Sequence, residues 1–179
     1  MFWKKSKKSL SFFIATIEEI MNFKLFLESE EQKNVDELLA KLPKGHRDLL
    51  DGFHFKYTSG NTLDGDNEHI GYIINTKIVV AAPWNYGREF TTLHEIAHLI
   101  WEHLVTDDMK KEWREIVKKT KQKQIDKFER KSQKHALRQE ADEIFCMSYA
   151  AHYCSHAPAI WMNEEWDKFI KKIENLKKK

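Results

Sequence analysis

Apolar residues recur every three or four positions over roughly residues 10–26 and again over Val35–Leu42, where Pro43 follows. That spacing predicts two helices, the second stopped by a proline whose ring blocks the preceding helical turn. The texture then changes. FHFKYT (53–58), YIIN (72–75) and KIVVAA (77–82) are aromatic and β-branched, as strands prefer. Between the first two lies SGNTLDGDNEHIG, a polar loop whose glycine and glutamate do not fall where a calcium-binding EF-hand loop needs them. Pro83 and Gly87 close the strand section. From Glu89 onward Leu93, Ile96, Ala97, Ile100, Trp101 and Leu104 form the stripe of a core helix. A charged segment, Asp107–Lys134, carries Trp113, Ile116, Val117, Ile125 and Phe128 as its large apolar residues. ALRQEADEIFCMSYAAHYC then reads as strongly helical, and Met162, Trp166, Phe169, Ile170 and Ile173 mark an amphipathic C-terminal helix.

Composition sharpens this picture in three places. With 179 residues, 41% of them hydrophobic, the chain is long enough for one domain with a real core, a helical part over 1–50 and the remainder over 51–179. Thirty Lys and Arg stand against 28 Asp and Glu, and a net charge of +2 predicts no general affinity for nucleic acid. The lysine-rich segment Lys110–Lys134 is read as a solvated helix face, since no interleaved aromatic residues suggest base stacking. The start, MFWKKSKKSLSFFIATIEEI, mimics a signal peptide, but Glu18 and Glu19 follow the apolar run at once. No other apolar run nears the ~18 residues of a membrane span. Cys146 and Cys154, eight positions apart on one helix, are badly placed for a disulfide and read as small buried residues in a reducing compartment.

The chemistry lies in FTTLHEIAHLIWEH (Phe90–His103). His94 and His98 are one helical turn apart, so both imidazoles leave the same face and can reach one ion. Zinc takes imidazole nitrogen at ~2.0–2.1 Å and favours a tetrahedron, one corner of which is water in a catalytic site. Glu95, about 100° round the helix from His94, would lie beside that water and take its proton. Without a partner, imidazoles and a carboxylate bordering a buried stripe would be costly. Two histidines leave the site one protein ligand short. His103 falls one residue too early for the longer three-histidine pattern and is read as lying outside the ligand set. The third ligand is expected from the later helix, as Glu143 or Glu140; Glu140, Asp142 and Glu143 point in different directions, so at least one is solvated.

GREFTTLHEIAHLIWEH (Gly87–His103) resembles the active-site helix of the ImmA/IrrE family of metallopeptidases, including Phe90–Thr91 ahead of the motif. EIFCMSYAAHY (Glu143–Tyr153) is similar to the glutamate helix of that family and of the catalytic domain of anthrax lethal factor. Both begin that helix with the ligand glutamate and place a small residue three positions on, here Cys146, which favours Glu143 over Glu140. The two segments cover about a sixth of the chain. Met147 stands where those families carry a polar residue. The lethal-factor group also has a tyrosine seven residues before the glutamate, where this chain has Ala136 beside His135. His135 or Tyr153 is therefore the candidate donor to the oxyanion.

The resemblance implies an α+β, mainly helical, zincin-like metallopeptidase domain with a small mixed β-sheet packed on the active-site helix. It implies a zinc-dependent endopeptidase of the cytoplasm that cleaves one specific protein, such as a transcriptional repressor; the lethal-factor likeness alone would imply a secreted toxin. KIVVAA (77–82) is either an edge that takes an extended peptide by β-augmentation or a plain core strand. The competing reading is a regulatory or interaction protein, binding a repressor or nucleic acid, with a structural or inactive metal site.

Overall fold

The computed structural model describes residues 29–57, 71–74, 78–81 and 87–177. The chain divides into two units, Met1–Glu37 and Leu38–Lys179. The division falls within the first described helix, α1 (Ser29–Ala40). The helix expected over 10–26 and most of the polar loop lie outside the described residues. Pro43, past the end of α1, is the N-cap of a short helix, α2 (Lys44–Leu49). Gly45 is there for close approach: a Cβ on it would run into the backbone carbonyl of Leu176.

Three strands of four residues each follow, β1 (His54–Tyr57), β2 (Gly71–Ile74) and β3 (Ile78–Ala81). They pair in the order β1-β3-β2, with β1 parallel and β2 antiparallel to β3. Val79 lies opposite Phe55 on one side and Ile73 on the other. This order corrects the idea of Lys77–Ala82 as an open edge. β3 is paired on both flanks, so its backbone groups are already committed and it cannot accept a further strand.

The α+β class is corrected too: the described chain is mainly helical. The strands are short, and although β3 and β2 touch the helix that follows them, that helix has its most extensive contact with another helix. Apolar faces here are buried mostly helix on helix, and the small three-stranded sheet does not define the architecture.

The chain enters α3 (Gly87–His103) at a glycine with φ of 83°, a left-handed conformation that costs glycine nothing. Thr91 and Thr92 are buried in its first turns, each hydroxyl donating to the carbonyl four residues back, at 3.2 and 2.8 Å. Next come α4 (Asp107–Asp126), capped by the Thr106 hydroxyl, α5 (Lys131–Ala136), α6 (Ala141–Tyr153), a 3₁₀ turn (Ala159–Trp161) and α7 (Glu164–Ile173). Asn163 caps α7 by accepting from the amides of Glu165 and Trp166, so the helix starts after Met162, which the spacing had placed on its apolar face and which is 60% exposed.

α6 is the centre. Its Ile144, Phe145, Cys146, Tyr149 and Ala150 are buried, as are Leu93, Ile96, Ala97 and Ile100 of α3. Trp101 of α3 stacks on Phe145 at 4.7 Å between ring centres. On the other side Trp113 of α4 meets Phe145 edge-on at 5.6 Å and Phe169 of α7 at 5.0 Å, and its indole donates to the Ala141 carbonyl. His46 of α2, wholly buried, has Nε2 3.0 Å from the Ile173 carbonyl and Nδ1 2.8 Å from the Tyr149 hydroxyl. The carbonyl can only accept, so Nε2 carries the proton and Nδ1 takes the phenol's. Burial holds the His46 pKa below its ordinary value, in keeping with this neutral role.

Trp113→Ala should lower the unfolding free energy by about 3–5 kcal/mol in denaturant titration, because it empties the junction of three helices. Gly45→Ala tests the close approach by its sign. Alanine is worth about 1 kcal/mol over glycine in an open helix, yet here the variant should unfold at lower denaturant than wild type; a stabilised variant would refute the steric argument.

Candidate metal centre

Helical periodicity does the first part of the assembly. His94 and His98 stand on the same face of α3, rings 4.9 Å apart and nearly perpendicular, with their Nε2 atoms 3.2 Å from each other. The second part is supplied by α6, whose first turn carries Glu143 across to them. Glu143 Oε1 lies 3.1 Å from His94 Nε2, and Oε2 lies 3.6 Å from His98 Nε2. One ligand atom from each residue falls within 4.8 Å of the other two, the spread of donors that can share one ion. Two imidazole nitrogens and one carboxylate oxygen suit zinc and leave a tetrahedral corner for water. His94 is nearly closed off, while the His98 and Glu143 side chains keep 39% and 31% of their exposure, so the cluster has a floor and an open side.

The electrostatics separate two carboxylates. Glu95 is buried, and its pKa is raised to about 7: burial drives it up, the Glu143 charge adds to the rise, and His94 partly opposes it. Glu143 moves the other way. Burial alone would raise it, but the His94 hydrogen bond and the His94 and His98 charges outweigh that, and its pKa is lowered. Its place in the first turn of α6 also favours the anion through the helix dipole. His98 is held below its ordinary value, first by burial and then by His94. A neutral imidazole is the form that ligates a metal. The arrangement can therefore hold a divalent cation at Glu143 and the two histidines, and the buried Glu95 feels the charges of His94 and Glu143.

The other expected residues lie elsewhere. Glu140 is the exposed N-cap residue of α6 and is not in the cluster. Asp142 is exposed and accepts the Glu143 amide at 3.1 Å. His135 is exposed on α5. Tyr153 ends α6, ten residues past Glu143 and so about 15 Å along the helix axis. Its hydroxyl donates to Glu174 at 3.4 Å, and burial pushes its pKa up. Tyr153 is thus engaged by the C-terminal segment well along the helix from Glu143, and His135 is not among the clustered residues. His103 is exposed, 3.9 Å from Glu102.

Two features were not read from the sequence. Cys146 and Cys154 are free thiols, but Cys146 is no mere filler: its Sγ is 3.3 Å from His98 Nδ1. The signal was its place three residues after Glu143, one turn along the same helix face. His94 Nδ1, by contrast, is buried without a hydrogen-bond partner among the described residues.

The raised Glu95 pKa has a stability consequence in protein stripped of metal by a chelator. Its folded-state value lies above the ordinary 4.5, so the stabilisation is complete below 4.5 and is lost as pH rises to about 7. Glu95→Gln stays neutral throughout. Its unfolding free energy relative to wild type should therefore climb by about 3 kcal/mol over that window. The difference between the two proteins is the readout, because His98 and His46, lowered by burial, titrate with the opposite sign in wild type and variant alike. Parallel pH curves would show that Glu95 ionises normally.

No family model, curated protein or solved structure matches the chain, so what the centre can do is argued from its own residues.

Proposed function

We propose that the chain is a zinc-dependent endopeptidase of the ImmA/IrrE kind, with His94, His98 and Glu143 as ligands and Glu95 as the general base. The observation that carries this reading is the convergence of Glu143 from α6 on the two α3 imidazoles, with a second carboxylate of pKa about 7 next to them. A structural zinc site would fill all four corners with protein and would have no use for that second acid. Zinc, when bound, supplies the positive charge that acidifies water and polarises the scissile carbonyl.

The chain's own residues do the rest. Glu95, as the carboxylate, takes the proton of the attacking water on an oxygen and passes it to the leaving amine nitrogen. Its burial matters in both steps: loss of water strengthens the carboxylate's hold on a proton, which favours taking one from water, and the leaving amine is the stronger base to which it returns. Glu143 is biased to the anion before any metal binds, and the anion is the form that ligates. The open side at His98 and Glu143 is where a peptide would approach. The substrate class is protein or peptide, a transcriptional repressor being the example that the family resemblance suggests. A cytoplasmic setting is supported by the two free thiols. No helix among the described residues is long and apolar enough to cross a membrane.

Elemental mass spectrometry should find one zinc per chain in wild type and in Glu140→Ala, and little in Glu143→Ala. Glu95→Gln should keep its zinc and its fold yet lose hydrolysis of a peptide library by 100-fold or more, on the order of what a positioned general base contributes. A well-folded wild type that takes up no zinc from buffer would overturn the reading. Zinc bound with no cleavage by wild type would leave the interaction-protein alternative.

A further inference from the structure

We propose that Cys146 is a positioning residue for this centre: its sulfur accepts the Nδ1 hydrogen of His98 and so fixes the tautomer that offers Nε2 to the ion. The inference rests on the zinc reading and goes beyond it, to a side chain outside the ligand set.

The geometry is direct. Cys146 Sγ lies 3.3 Å from His98 Nδ1, within the range of a hydrogen bond to sulfur, while His98 Nε2 faces His94 Nε2 at 3.2 Å and Glu143 Oε2 at 3.6 Å. A neutral imidazole that ligates through Nε2 must carry its proton on Nδ1. That N–H points into the α3–α6 interface, where Cys146 is wholly buried. A donor there costs free energy unless something accepts from it. Metal-bound histidines ordinarily turn the second ring nitrogen to a carboxylate, a backbone carbonyl or water, and losing that partner typically costs 10–100-fold in metal affinity. Here the acceptor is a thiol, a weak one. His94 Nδ1 has no partner among the described residues, so the sulfur on His98 is the outer contact the pair has among them.

Packing and hydrogen bonding predict opposite orders for two substitutions. Cys146→Val keeps an apolar side chain of similar bulk but removes the acceptor. Cys146→Ser keeps an acceptor in a slightly smaller side chain. Zinc dissociation constants measured by competition with a chromophoric chelator should rise about tenfold for Val and for Ala, and stay within about threefold of wild type for Ser. Thermal unfolding of the zinc-free proteins should not follow that order, with Ser the least stable or equal to Ala. Nitrogen-15 NMR of the histidine rings should show His98 protonated at Nδ1 in wild type and Ser, and mixed tautomers in Val.

Unchanged zinc affinity in both Val and Ala, with the Nδ1 proton retained, would overturn the role of Cys146 and leave the zinc centre intact. A wild type that binds no zinc would overturn the centre itself. That outcome is distinguishable because it appears before any substitution is made.

Discussion

The contact between α3 and α6 is the constraint on which the rest depends. Each helix brings half of a site that neither could form alone: two imidazoles at a four-residue spacing from one, a carboxylate from the other. What holds them in register is apolar. Trp101 on Phe145, with Ile96 and Ile100 buried on one helix and Ile144 and Tyr149 on the other, makes the separation of the two axes a matter of close packing. Tilting either helix by a fraction of a turn would carry Glu143 off both histidines. The polar groups at the seam are thus placed by hydrophobic free energy, at a cost that a cation would offset.

The same seam explains why two glutamates on adjoining helices behave as different acids. Glu95 lies on the side of α3 that turns into the protein, where loss of water dominates and the neutral form is favoured. Glu143 sits at the rim, partly hydrated and facing two imidazoles, so the charged form wins although burial pulls the other way. The proposed roles, proton transfer for the first and ligation for the second, rest on this division of environments rather than on either residue's type. Around the seam the aromatic residues Trp113, Trp166 and Phe169 and the buried His46 bring α4, α7 and α2 onto the back of α6. They leave the first turn of that helix free to face the histidines.

Much of this was legible in the chain. The stripe Leu93–Leu104 is buried as its spacing requires, because helical period alone decides which positions share a face. The same rule put His94 and His98 together without any knowledge of tertiary structure. Glu143 could be separated from Glu140 only by resemblance, and the fold supplies the physical ground: Glu140 precedes the helix as its N-cap, whereas Glu143 has completed enough of the first turn to face α3. The strand-like segments misled in weight. β-branched composition marked where extended chain occurs, but not how much of the core it would cover, and the class is mainly helical.

What the sequence determined by itself was local: the helix carrying the motif, the face on which His94 and His98 stand and the residue types that could hold a metal there. Tertiary structure decided everything that depends on distance between elements. It set β3 as a central strand, tied Tyr153 to Glu174, and brought Cys146 to His98. The reason is one of range. Periodicity and side-chain chemistry act over one or two turns of a helix, while the crossing of two helices is set by the summed packing of many side chains that no short motif encodes.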